Sequence, residues 1–246
     1  MVDLSTITDI AEIAGLAVTT PTAIGALVIA GRNALQNRHQ RAEFNKFNPS
    51  FEVLDNYTIL KDKLYHLMDE SLKKDKMITI LNIGLDLEYM LPDILQYIHD
   101  RTPLHRRIRL SYRGLVINPR SELIENLIGD GSNLQAMFVD NALRQLELFK
   151  HTFSQNKNIS AELSQYDVPL TIHGVMLNDE HLMLGFTELS RDTSVFPPIF
   201  KMHGSAKPYI YMKNDKNVEA TKHYFAFFKE WFEYYDYMWK KKRGLG

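Results

Sequence analysis

Apolar side chains recur at helical spacing from Tyr57 to Lys74, where Leu60, Leu64, Leu67, Met68 and Leu72 fall on one face. The closing lysine pair suits a helix C-terminus. The period then shortens. Met77 to Ile83 is apolar and isoleucine-rich, bounded by charge on one side and Gly84 on the other, and predicts a buried strand. A second helical stretch, Leu87 to His99, carries Leu91, Ile94, Leu95 and Ile98 on one face, and strand character returns at Ile108 to Tyr112. A crossover of this length cannot form a hairpin, so the pattern predicts a β–α–β unit and a parallel sheet.

Ser121, followed by Glu122 and Glu125, opens a short helix closing at Gly129, and Asn133 to Phe153 forms a longer one. Three strands follow at Ile159 to Leu163, Leu170 to Leu177 and His181 to Phe186; the turn pair Asn178-Asp179 joins the last two antiparallel. After a loop at Pro197 and Pro198 come a strand at Tyr209 to Met212 and a final helix from Val218 to Lys240. The expected fold is α/β, with a mixed sheet flanked by helices: a parallel βαβ first half and an antiparallel hairpin in the second half.

Ahead of this domain the pattern is different. Ile13 to Ala30 gives eighteen consecutive residues without formal charge, roughly 27 Å of helix and close to the thickness of a bilayer core. Asp3 and Asp9 precede the segment and Arg32, Arg38 and Arg41 follow it, which by the positive-inside tendency puts the main domain in the cytoplasm. Threonines and Pro21 weaken the span, and small residues such as Gly15 and Gly25 suit close helix packing. Two readings stay open: an N-terminal apolar membrane helix, or an assembly helix in a soluble oligomer. The expected layout is this helix in residues 1–31, a polar linker in 32–55 and one α/β domain in 56–246.

Composition narrows the chemistry. Lys and Arg total 29 against 30 for Asp and Glu, so no bulk charge recruits nucleic acid or anionic lipid, and any such partner must meet a local patch. The absence of cysteine removes disulfides, thiolate metal sites and thiol catalysis. The nine histidines show no ligand-like spacing with acids, so neither a metal nor another cofactor is expected.

The stretch Pro169 to Gly185 places His173 on a strand, Asp179 and Glu180 at the following turn, and Gly185 at the end of the next strand. It resembles, in degraded form, the signature strand of the phospholipase D-like superfamily. Ile80 to Leu95 and Ile117 to Ser121 resemble single-copy members of that superfamily, and the likeness extends over roughly residues 57–240. The resemblance implies His173 as phosphoryl nucleophile, Asp179 or Glu180 as the acid orienting it, and a phosphodiester substrate. It also implies a homodimer, because such sites use two histidines. Val175 stands where that pattern has lysine, Glu180 falls at the position of the aspartate with Asp179 one residue early, and the spacing to Gly185 is short.

Other candidates are local. His203-Gly204-Ser205-Ala206-Lys207 is a glycine loop with a lysine suited to phosphate, with His203 and Lys207 as ligand-binding candidates and a plain surface loop as the competing reading. His105-Arg106-Arg107-Ile108-Arg109, with Arg113 placed beyond the strand, concentrates positive charge. Arg107 and Arg109 on one strand face suit a nucleotide, nucleic-acid phosphates or an anionic headgroup, or equally a solvated edge. The final helix is ringed by aromatics and ends in Lys240, Lys241, Lys242 and Arg243, which predicts a second covered face against another subunit or a membrane. Three functions compete: a membrane-tethered, catalytically degenerate phospholipase D-like sensor or effector acting through oligomerisation; an active homodimeric phosphodiesterase, nuclease or phospholipase using His173; and a nucleotide- or ligand-gated membrane-disrupting effector.

Overall fold

The computed structural model describes residues 51–74, 77–85, 87, 89–101, 108–128, 131–168, 170–192, 199–203, 208–215 and 218–245. The apolar segment in 1–31 and most of the linker in 32–55 lie outside these residues.

A seven-stranded mixed sheet forms the frame. Within it β2 (Ile78–Gly84) pairs parallel with β3 (Leu110–Ile117), which pairs parallel with β4 (Ile159–Tyr166). On its other side β2 meets β5 (Ile172–Leu177) antiparallel, and β6 (His181–Phe186), β9 (Tyr209–Lys213) and β1 (Phe51–Leu54) continue antiparallel outward. The mixed sheet matches the expectation, and its antiparallel half is four strands wide. The small strands β7 (Glu188–Asp192) and β8 (Ile199–His203) form a separate two-stranded sheet.

Two crossovers link the parallel strands: α2 (Met90–Arg101), then α3 (Glu122–Ile128) with α4 (Gly131–Thr152). Together with α1 (Tyr57–Lys73) they cover one face, and α5 (Glu219–Lys242) lies across β4, β3 and β2 on the other. The helical stripes bury as their spacing predicts. Leu60, Leu64, Leu67 and Met68 of α1, and Leu91, Ile94, Leu95 and Ile98 of α2, all enter the core. Asn56 caps α1 by accepting a bond from the Ile59 N–H at 3.1 Å.

Several boundaries move. Phe51–Leu54, inside the expected linker, is an edge strand of the main sheet, too short to show an alternation of its own. The strand expected at Ile108 to Tyr112 is shifted and longer, because Gly114 and Arg113 break its apolar run without breaking its pairing. Arg113 is therefore within β3, not beyond it. The Asn178-Asp179 turn closes the β5–β6 hairpin as expected, with both residues in the left-handed region at φ 56° and 54°. Asn178 also extends the sheet: its Oδ1 accepts from the Thr79 N–H and its Nδ2 donates to Ser71 on α1.

Candidate functional site

The carboxyl ends of parallel strands are where open α/β sheets gather ligands. Here that edge collects Gly84 of β2, His173 at the start of β5, Gly185 near the end of β6 and Tyr209 at the start of β9, because β5 and β9 run against β2 and β6 respectively. His173 is buried, 7% exposed, and pairs directly with Gly185. The missing side chain at Gly185 makes room for the imidazole: a Cβ there would lie 2.3 Å from His173 Nε2 and 2.8 Å from Tyr209 Cε1. Tyr209 meets the imidazole edge to face, with ring centres 5.4 Å apart. His173 Nδ1 and Thr187 Oγ1 lie 3.4 Å apart, and Thr187 is held by its N–H bond to the Thr171 carbonyl.

The adjoining wall is aromatic. Tyr57 donates to Asp93 Oδ2 at 2.7 Å and packs on Tyr89, and Tyr65 donates to the Asp93 carbonyl. Burial raises the Tyr57 hydroxyl pKa, with the bond to Asp93 and the nearness of Tyr209 adding to it; burial alone raises that of Tyr209. Both are neutral phenols at ordinary pH, able to donate a hydrogen bond and unable to act as bases. The crevice beside Gly84 is filled from within. Leu87, in a left-handed conformation at φ 56°, packs so close to Gly84 that a Cβ there would come 2.4 Å from its Cδ2.

Of the residues singled out from the sequence, the fold brings few together. Asp179 and Glu180 occupy the turn at the far end of the hairpin from His173, since His173 pairs with Gly185 and Leu177 with His181. Four strand residues separate them, about 13 Å. Asp179 bonds Lys229 of α5 at 2.9 Å, and Glu180 lies 4.0 Å from His181 Nε2. Val175, two residues after His173 on the same face, is a core residue at 1% exposure. Arg109 is exposed between buried Ile108 and Leu110, at the opposite edge of the sheet. Its neighbour Leu110 pairs with Ile78, six residues or about 20 Å along β2 from Gly84. His203 ends β8, paired with Glu188. Arg107 and Lys207 lie outside the described residues.

Among the described residues a second polar cluster is one the sequence did not reveal. Asp236 of α5 is buried against the sheet, where Ser164 of β4 donates to its Oδ1 and Arg113 of β3 to its Oδ2. Lys240 lies 3.0 Å from Oδ2 and also bonds Glu162, and Arg113 makes a two-pronged pair with Glu233 at 2.7 and 2.9 Å. Burial pushes the Asp236 carboxyl pKa up, and the bonds from Ser164, Lys240 and Arg113 outweigh it, leaving the pKa below the usual value. The available signal was spacing alone: Asp236 follows Phe228 and Phe232 at four-residue intervals, on the same helical face.

Among the described residues no group of three or more His, Asp or Glu side chains is arranged to hold a metal ion, and no helix is long and apolar enough to cross a membrane. No protein-family model matches the chain, and no curated protein matches it.

Proposed function

We propose that this chain is a membrane-tethered, phospholipase D-like domain without phosphoryl-transfer activity, acting as a sensor or effector through self-assembly. The observation that carries the reading is the layout of the β5–β6 hairpin. It holds the strand histidine closed in by Tyr209, Gly185 and Thr187, puts the two candidate acids at the opposite end, and fills the position of the phosphate-gripping cation with buried Val175. A phosphoryl-transfer centre needs charge-stabilising groups fixed around the reacting atom, and this arrangement does not assemble them from the residues that the resemblance designates. The uncharged stretch from Ile13 to Ala30 supports the tether, with the α/β domain on the cytoplasmic side.

Two measurements test it. Purified full-length protein is assayed on bis(4-nitrophenyl) phosphate beside His173→Ala; equal, background-level hydrolysis is expected, and hydrolysis lost in His173→Ala would establish the active phosphodiesterase instead. Fractionation of cells expressing residues 1–246 or 32–246 is expected to retain only the longer chain in membranes. Equal solubility of the two would overturn the tether.

A further inference from the structure

Between β6 and β9, which are neighbours in the main sheet, the chain leaves that sheet and returns to it. The excursion carries β7 and β8, which pair with each other as a sheet of their own. Glu188 and His203 close the ribbon at its near end, and Asp192 and Ile199 pair at the far end. The ribbon departs at Thr187, directly after β6, and the chain rejoins β9 through Pro208, so both attachment points lie at the sheet edge that holds His173. From there β8 reaches α3 and α4. Ser121, the residue before α3, is bonded at the ends of β3 and β4, its N–H to the Asn118 carbonyl and its hydroxyl to the Asp167 carbonyl. Three strand spacings, about 14 Å, separate β6 from β3, and a five-residue strand spans about 17 Å. The ribbon thus has the reach to bridge the ends of β5 and β2, where His173 and Gly84 lie.

Both attachment points meet the same side chain. His173 Nδ1 lies 3.4 Å from Thr187 Oγ1, where the chain departs, and the imidazole meets Tyr209 edge to face where it returns. We propose that the β7–β8 ribbon is a lid over this edge, hinged at Thr187 and Pro208, and that the His173 imidazole is its latch. A two-stranded ribbon apart from a larger sheet has little stability of its own, and segments of that kind open locally while the core stays folded. The strands beneath differ, since β5 and β6 are each paired on both sides. Opening draws Thr187 off an imidazole that is almost fully buried when the lid is shut. Such a lid serves a sensor and an enzyme alike, so its test stands apart from the hydrolysis and fractionation outcomes above.

Full-length protein in mild detergent is followed by hydrogen exchange resolved to peptides. The amides of Glu188–Asp192 and Ile199–His203 are expected to exchange together, at least about 100-fold faster than those of β5 and β6. Diethyl pyrocarbonate, which acylates neutral imidazole, is expected to modify His173 completely but more slowly than His66, whose side chain is 66% exposed. Thr187→Val keeps the shape of the residue and removes the latch hydroxyl; it should speed both ribbon exchange and His173 modification about threefold. Thr187→Ser should restore the wild-type rates. Ribbon amides as protected as those of β5 and β6, or a His173 still unmodified when His66 is consumed, overturn the lid. Wild-type rates in Thr187→Val overturn the latch and leave the lid standing. Acceleration that extends to β5 and β6 marks a general loosening of the domain and overturns the latch as well.

Discussion

His173 and Asp236 are both buried ionisable side chains beside aromatic rings, on opposite faces of one sheet, and the fold treats them in opposite ways. The imidazole is packed over Gly185 and edge to face against Tyr209, with Nδ1 3.4 Å from Thr187 Oγ1. The carboxylate is bonded on both oxygens, by Ser164 on one and by Arg113 and Lys240 on the other. The difference follows from what each group loses on leaving water. A carboxylate buried without donors loses several kcal/mol of solvation, whereas an aromatic imidazole gains contact with a neighbouring ring. The ion pairs and hydrogen bonds of Asp236 therefore serve to dock α5 on the sheet, while the imidazole is set by the space over Gly185 and the face of Tyr209.

The sharpest way to break this contrast is Asp236→Ala. Removing one member of a buried pair leaves the other charge uncompensated, and a loss of about 3 kcal/mol in urea unfolding is expected. A loss under about 1 kcal/mol would mean that Glu233 alone suffices for Arg113. The pH dependence has a fixed sign. Because the Asp236 carboxyl pKa is lowered in the folded state, its contribution is fully present above the unfolded carboxylate value, about 4, and is lost as pH falls through the lower folded value. Wild-type stability should fall in that acid window, and Asp236→Asn should flatten the profile there.

The histidine side answers to size. Gly185→Ala drives a methyl into the imidazole and into Tyr209, and overpacking of this kind is expected to cost about 2 kcal/mol. Combining it with His173→Ala removes the ring that the methyl meets first. The double mutant should then recover at least about 1 kcal/mol relative to the sum of the single changes. Strict additivity would show that the imidazole is not held over Gly185.

Strand and helix identities could be read from the chain because they rest on local period. The α1 and α2 stripes bury the leucines and isoleucines that their spacing selects, and the left-handed pair Asn178-Asp179 turns the chain where its residue types favour it. What could not be read depends on register between distant segments. Phe51–Leu54 becomes a strand only because β9 offers an edge 155 to 161 residues later. Arg113 looked like the end of a basic run until β3 proved to extend past it, toward a helix 120 residues away in sequence. The same holds for the candidate site. Motif order placed Asp179 and Glu180 near His173, but a hairpin separates residues in proportion to their distance from its turn, and six positions carried the acids to the other end.

The smallest expected effect sharpens the comparison further, because it pairs the same residue types at a different depth. Lys229 of α5 bonds Asp179 at 2.9 Å, and both side chains are at least half exposed. An aspartate–lysine pair in solvent gains little over its hydration, so Lys229→Ala should change stability by no more than about 0.5 kcal/mol. About 0.5 M sodium chloride should shrink even that, since the screening length falls to about 4 Å, comparable to the separation of the pair. The Asp236→Ala loss should largely survive the same salt, because the carboxylate is only 8% exposed and a mostly buried pair is screened far less. Equal salt sensitivity of the two variants would mean that α5 opens to solvent in the native state and that Asp236 is buried only part of the time.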